Sequence, residues 1–129
     1  MTDNKRIPRA DEAEQAVIGC LLLRGSPDEH ALAECATLKP LDFFLPECAT
    51  LFSACLDLAN QGVAVDQITV AQRLDATGKL KALGGPAYLI HCMRLVATSY
   101  HLKYYANIVL DASRRRQMIA QAGKMAQAA

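Results

Sequence analysis

Tryptophan is missing from this 129-residue chain, phenylalanine occurs three times and tyrosine four times. No sign of charge dominates either, with 14 Lys and Arg against 13 Asp and Glu. Tight tracking of a phosphate backbone needs several cations acting together, so this balance disfavours nucleic-acid binding as the main role. The opening Met1-Thr2-Asp3-Asn4-Lys5-Arg6 is polar, and no apolar run approaches the roughly 18 residues that cross a bilayer. A secretion signal and a membrane span are therefore not expected.

Five cysteines, Cys20, Cys35, Cys48, Cys55 and Cys92, form no CxxC pair and are odd in number. That pattern fits neither a zinc knuckle nor a disulfide framework and points to a reducing, cytoplasmic setting. Cys48 and Cys55 would share one helix face with Leu51, Phe52 and Leu56, as small buried hydrophobes do. His30, His91 and His101 have no partner four residues away, so no metal site is expected. Gly78-Lys79-Leu80 lacks the glycine and hydroxyl residue of a phosphate loop, so no nucleotide cofactor and no catalytic residue are expected either. Glu12 and Glu14 point in directions separated by about 200° on a helix, which suits the dipole of its first turn rather than paired acid and base chemistry.

What is present is a helix-forming pattern of one-domain length. At 52% hydrophobic and 21% charged residues, the chain can bury a core. Apolar spacing predicts a first helix over Glu12 to Leu23 and a second amphipathic segment from Asp28 to about Leu38, antiparallel to it. Pro46 opens a third that Asn60-Gln61-Gly62 stops. Val63-Ala64-Val65 reads as a loop, Thr69-Val70-Ala71-Gln72 as the capping box of a brief helix closed by Gly78, and Leu80 to Gly85 as a turn. Pro86 then opens a helix with Tyr88, Leu89, Cys92, Leu95 and Val96 along one side. From about Tyr100 the apolar positions 105, 108, 112, 119, 122 and 126 mark the longest helix, and the sequence stops inside it without a cap, as if cut from something longer. The fold class is all-α, a compact bundle of about six helices.

Two features invite a nucleic-acid reading. Arg114-Arg115-Arg116 fan over about 200° of a helix and cannot make one phosphate-facing stripe, so a solvated or interfacial run is favoured. Tyr100 and Tyr104, one turn apart beside Lys103, could stack bases, although packing between helices is the commoner use.

Pro8…Glu12-Ala13-Glu14-Gln15-Ala16-Val17-Ile18-Gly19 followed by Leu21-Leu22-Leu23 resembles the opening of DnaB-type replicative DNA helicases. Leu41-Asp42-Phe43-Phe44, Leu51-Phe52, Gly62…Val65-Asp66-Gln67-Ile68-Thr69-Val70…Leu74, Gly78-Lys79-Leu80…Gly84-Gly85…Tyr88-Leu89 and Tyr104-Tyr105-Ala106-Asn107-Ile108-Val109 continue the likeness in order. Cys48-Ala49 and Tyr100-His101 depart from the pattern. The resemblance implies an N-terminal helical domain whose last two long helices form a protruding C-terminal hairpin. Residues 1–10 would be a flexible arm, 11–97 a globular body, and 98–129 the long helix of the hairpin, before a linker and an ATPase domain that lie beyond this sequence.

The function implied is a non-catalytic module for assembly, from dimer to hexameric ring, and for docking of primase in DNA replication. The parent would be an ATP-dependent helicase, whereas this chain would hold no enzyme activity and bind little nucleic acid itself. Self-association is expected along Tyr104, Ile108, Ala112, Arg115, Ile119 and Ala122, and primase docking at Glu12, Tyr88, Ile119 and Met125. Tyr88 could equally pack in the core, since it begins the stripe of Cys92 and Leu95. Alternative readings are a stand-alone regulator of a helicase or primase, and a single-stranded DNA-binding domain.

Overall fold

A computed structural model describes residues 7–24 and 33–128. Six α-helices lie wholly within these residues, joined by turns, and no strand occurs among them. Of the segment expected as a second helix from Asp28 to about Leu38, residues 28–32 fall outside the described residues, Ala33 and Glu34 are helical, and residues 35–37 form a turn.

Helix α1 (Asp11–Arg24) starts with three acids in its first turn, where they complement the unpaired N–H groups. From Ala16 to Leu22 every residue is buried, which fits a helix that is apolar on all sides and runs through the centre of the body. Its Gly19 lies where α5 crosses. A β-carbon there would stand 2.2 Å from the Cys92 carbonyl oxygen, so the crossing exists because residue 19 has no side chain.

A single 3-10 turn (Pro40–Asp42) leads into α2 (Pro46–Asn60), which has proline in its first turn. The buried face of α2 carries Cys48, Leu51, Phe52, Cys55 and Leu58, and the Phe52 ring packs on Phe43 with centroids 4.8 Å apart. The stop at Gly62 uses a φ of 72°, a left-handed value that glycine adopts without steric cost.

Helix α3 (Gln67–Ala76) has its cap three residues before the one expected at Thr69. Asp66 is the cap, accepting from the N–H groups of Ile68 and Thr69 at 2.9 Å each, while the Thr69 hydroxyl oxygen accepts from Asp66 N–H at 3.0 Å. Thr69 is thus the answering half of the box, because Asp66 Oδ1 reaches two amides at once. The stretch expected as a turn contains a one-turn helix α4 (Lys79–Ala82), entered through Gly78 at φ 74°. Helix α5 (Pro86–Arg94) buries Leu89 and Cys92 against α1. Leu95, expected on the same side, caps that helix and is exposed, whereas Val96 turns inward.

Helix α6 (Leu102–Ala128) is 27 residues long and has two halves with different surroundings. Leu102, Ala106, Val109, Ala112 and Ser113 are buried as the first half packs along α1. From Gln117 to Gln127 every residue is exposed. The part that projects among the described residues is therefore one helix: α5, the element before it, has nine residues and lies against the body.

All five cysteines are free and buried, as their positions on apolar faces led us to expect. Burial pushes the thiols of Cys35, Cys48, Cys55 and Cys92 up to about 12 and that of Cys20 to about 11, so at neutral pH they act as small hydrophobes.

Candidate interaction surface

The exposed half of α6 presents Met118 at 68%, Ile119 at 56% and Met125 at 66% exposure, an unusual density of large apolar side chains in open water. Of the residues expected along the self-association stripe, Tyr104, Ile108, Arg115, Ile119 and Ala122 are exposed. Ala112 is not: only 8% of it is accessible, because it faces the body beside Val109 and Ser113. The reason is geometric. A position four residues on is rotated by about 40° on a straight helix, and a seven-residue repeat drifts by about 20° per heptad. Ala112, four residues after Ile108, is therefore turned toward the body, whereas Tyr104, Ile108, Arg115, Ile119 and Ala122 stay on the open side. Met118, which that spacing left out, belongs to the exposed part.

Arg115 pairs with Asp111 at 3.1 Å across one turn of the same helix, on the solvent side. Both partners are largely exposed, so the pair contributes little to stability. Tyr104 stands against Tyr105 edge to face, with centroids 6.1 Å apart, and Tyr105 meets His101 in the same manner at 6.3 Å.

The primase-docking candidates fall in two places. Glu12 is exposed in the first turn of α1, and Gln15, one turn on, donates from its Nε2 to the Tyr88 hydroxyl at 3.0 Å. Tyr88 is half-buried, its hydroxyl 3.6 Å from Cys48 Sγ, and burial holds its phenol well above the usual tyrosine range. The ring thus joins α1, α2 and α5, a structural task the sequence left open. Ile119 and Met125 stand on the projecting half of α6, separated by about 9 Å of helical rise.

Two polar residues join distant segments of the fold in roles other than those expected from the sequence. Glu14, expected to serve the α1 dipole, is fully buried and accepts from Phe44 N–H at 2.8 Å and Leu45 N–H at 2.9 Å. It caps α2 from another helix, supplying what the cap residue Leu45 lacks in its own side chain. Its position on the 14, 17, 18, 21 rhythm of α1 was the available signal. Arg116, read as part of a solvated run, instead donates to the carbonyl oxygens of Pro8 at 2.8 Å and Asp42 at 2.6 Å.

The family model for the DnaB-like helicase N terminal domain matches residues 6–111. The chain belongs to that family. It is 37% identical over 121 residues to the replicative DNA helicase DnaB of Geobacillus stearothermophilus, covering 93% of this chain and 26% of the relative. Against the replicative DNA helicase DnaC of Bacillus subtilis the identity is 38% over 130 residues, covering 98% of this chain and 28% of the relative. The chain thus spans about a quarter of the length of these relatives. The crystal structure of the N-terminal domain of DnaB helicase from Mycobacterium tuberculosis superposes with a TM-score of 0.86 at 34% identity, over 94% of this chain and 84% of that one. A second structure, of a DnaB-like replicative helicase described with its interactions with primase, gives a TM-score of 0.76 at 28% identity, over 92% of this chain and 27% of the other. This DnaB-like domain is all-α, as its periodicities indicated, and the family match extends from the arm to the last buried turns of α6.

Proposed function

We propose that this DnaB-like domain is the non-catalytic assembly and docking module of a replicative DNA helicase, associating with copies of itself through the outward face of α6 and offering a surface to primase. The observation that carries the reading is the projecting half of α6, whose Met118, Ile119 and Met125 remain uncovered by the described body. Apolar surface of this kind is stabilised by a partner, and adaptable methionines are common where one docks. ATP hydrolysis and strand translocation would belong to the remaining three quarters of a parent resembling the relatives. Five thiols held reduced suit a cytoplasmic setting.

Light scattering behind a sizing column tests the first half. The unmodified chain is expected to give a mass that rises with concentration. Ile119→Glu is expected to weaken association by about 2 kcal/mol, roughly thirtyfold, by burying an unpaired carboxylate at the contact. Its helix content should not change, since residue 119 is exposed in the isolated chain. A monomer at every concentration would overturn self-association.

Docking is tested by titrating the helicase-binding domain of a matching primase. Met125→Glu and Glu12→Ala are expected to lower affinity about tenfold each with unaltered melting curves, as suits exposed residues. Tyr88→Ala should instead lower the melting temperature, because it removes a ring wedged between three helices. If Met125→Glu and Glu12→Ala are both silent in binding, primase docks elsewhere.

A further inference from the structure

Three arginines in a row look interchangeable, yet among the described residues it is Arg116 that joins separate parts of the fold. The two Arg116 Nη atoms donate to carbonyl oxygens of two different segments, Pro8 in the arm and Asp42 in the 3-10 turn. Its guanidinium carbon lies 5.5 Å from the centroid of the Phe44 ring, and that of Arg9 lies 4.0 Å from the same centroid. One turn earlier, Ser113 Oγ donates to Asp42 Oδ1 at 2.7 Å, while Asp42 Oδ2 accepts from Lys39 N–H at 2.8 Å. The arm, the turn and α6 therefore meet around residues 113–116, the last place along α6 with a hydrogen bond to the rest of the described residues. Arg116, Ile119 and Ala120 border an open cleft of about 310 Å³ together with Ile7 and Pro8.

We propose that Arg116 is a positioning residue for assembly, fixing the direction in which the free half of α6 leaves the body and tying the N-terminal arm to that direction. This rests on the self-association reading above. The twelve residues beyond Arg116 make a lever of about 18 Å, so a change of about 20° at its base moves the tip by about 6 Å. That exceeds the separation of about 4 Å at which apolar side chains still touch, so a contact surface on this lever fits a partner only if the base is set. Arginine suits the task because its planar fork serves two acceptors in two directions, whereas a lysine ammonium is a single point at the end of a flexible stem.

The test uses nitroxide labels on cysteines placed at Gln121 and Asp75, both exposed, in a chain diluted with unlabelled protein so that distances are intramolecular. The native thiols are buried and held protonated, so they compete little for the label. The unmodified chain is expected to give one narrow distance distribution, and Arg116→Ala and Arg116→Lys a broad one, with dimer dissociation constants raised about tenfold. Arg116→Lys keeps the charge and the aliphatic stem, so it keeps the test open if Arg116→Ala fails to fold. Distributions as narrow in the folded variants as in the unmodified chain would overturn the proposal, and so would broadening that leaves association unaltered. A chain that is monomeric at every concentration would overturn the self-association reading, while the distance distributions still report on what Arg116 holds.

Discussion

Replacing Gly19 with alanine is expected to destabilise the fold by about 3 kcal/mol, even though alanine is the better helix former by about 1 kcal/mol. The sign follows from what the new methyl group would meet. Its carbon would lie 2.2 Å from the Cys92 carbonyl oxygen, 2.9 Å from the carbon of that carbonyl and 3.1 Å from a Val96 methyl. Only the valine can move by changing rotamer. The carbonyl is part of the backbone of α5, so α1 and α5 must separate by about 1 Å, and a gap of that size forfeits a quarter to a half of each dispersion contact across it. Val17, Ile18, Leu89 and Cys92, all buried to within a few per cent, lie in or beside that contact. Thermal or urea unfolding of Gly19→Ala beside the parent chain measures the effect. Gly19→Val should unfold the chain outright under conditions where Gly123→Ala, in open water on the projecting half of α6, is slightly stabilising. Equal stabilities for Gly19→Ala and the parent would mean that the two helices are not in the contact described.

How much of this could be read from the sequence divides along a physical line. Helices α1 and α2 announce themselves because apolar spacing and a glycine soon after the last turn, with proline at the start of α2, are local signals, and both are found within a residue or two of their expected limits; α5 opens at its expected proline but stops at Arg94, short of the stop expected at Thr98-Ser99. Membership of the family was legible for a related reason: segments such as Leu41-Asp42-Phe43-Phe44 hold together the 3-10 turn, the Phe43 and Phe52 ring pair and the cap on α2. What was not legible depends on chain segments distant in sequence. Glu14 looks like a dipole partner until the chain returns some 30 residues later with two bare N–H groups. Arg116 looks like one cation of three until the arm, 108 residues earlier, presents the Pro8 carbonyl. Ala112 has the same apolar character as Ala122, and where the body lies around and along α6 decides that the first is covered and the second is not. The capping box of α3 was displaced for a nearer reason, since Asp66 and Thr69 can each start such a pattern and the deciding factor is which side chain reaches the free amides.

Removing the carboxylate of Glu14 is expected to cost about 3–4 kcal/mol as Glu14→Ala, because it leaves the Phe44 and Leu45 N–H groups unpaired in a place that is fully buried. Glu14→Gln should cost less, since one amide oxygen can still accept, but its NH2 group would then face an N–H donor. The pH dependence carries a second and opposite signature. Burial raises the Glu14 carboxyl above its ordinary value of 4.5, against the two backbone N–H bonds, which lower it. A carboxyl raised in the folded state binds protons more readily there than in the unfolded chain, so this group makes stability rise as pH falls. The rise runs from the raised folded value down to about 4.5 and is complete below it. Asp11 behaves in the reverse way: its hydrogen bonds from Arg9 lower its pKa below 3.8, so its contribution is present above that value and is lost as pH falls further. The two windows lie on either side of about 4. Urea unfolding of the parent and of Glu14→Gln, compared between pH 7 and pH 4.5, isolates the first window. The parent should gain on the variant as the solution is acidified, and the gain should level off near the lower limit. If the variant gains on the parent instead, the two N–H bonds outweigh burial and Glu14 is held as a stabilised carboxylate in the folded chain.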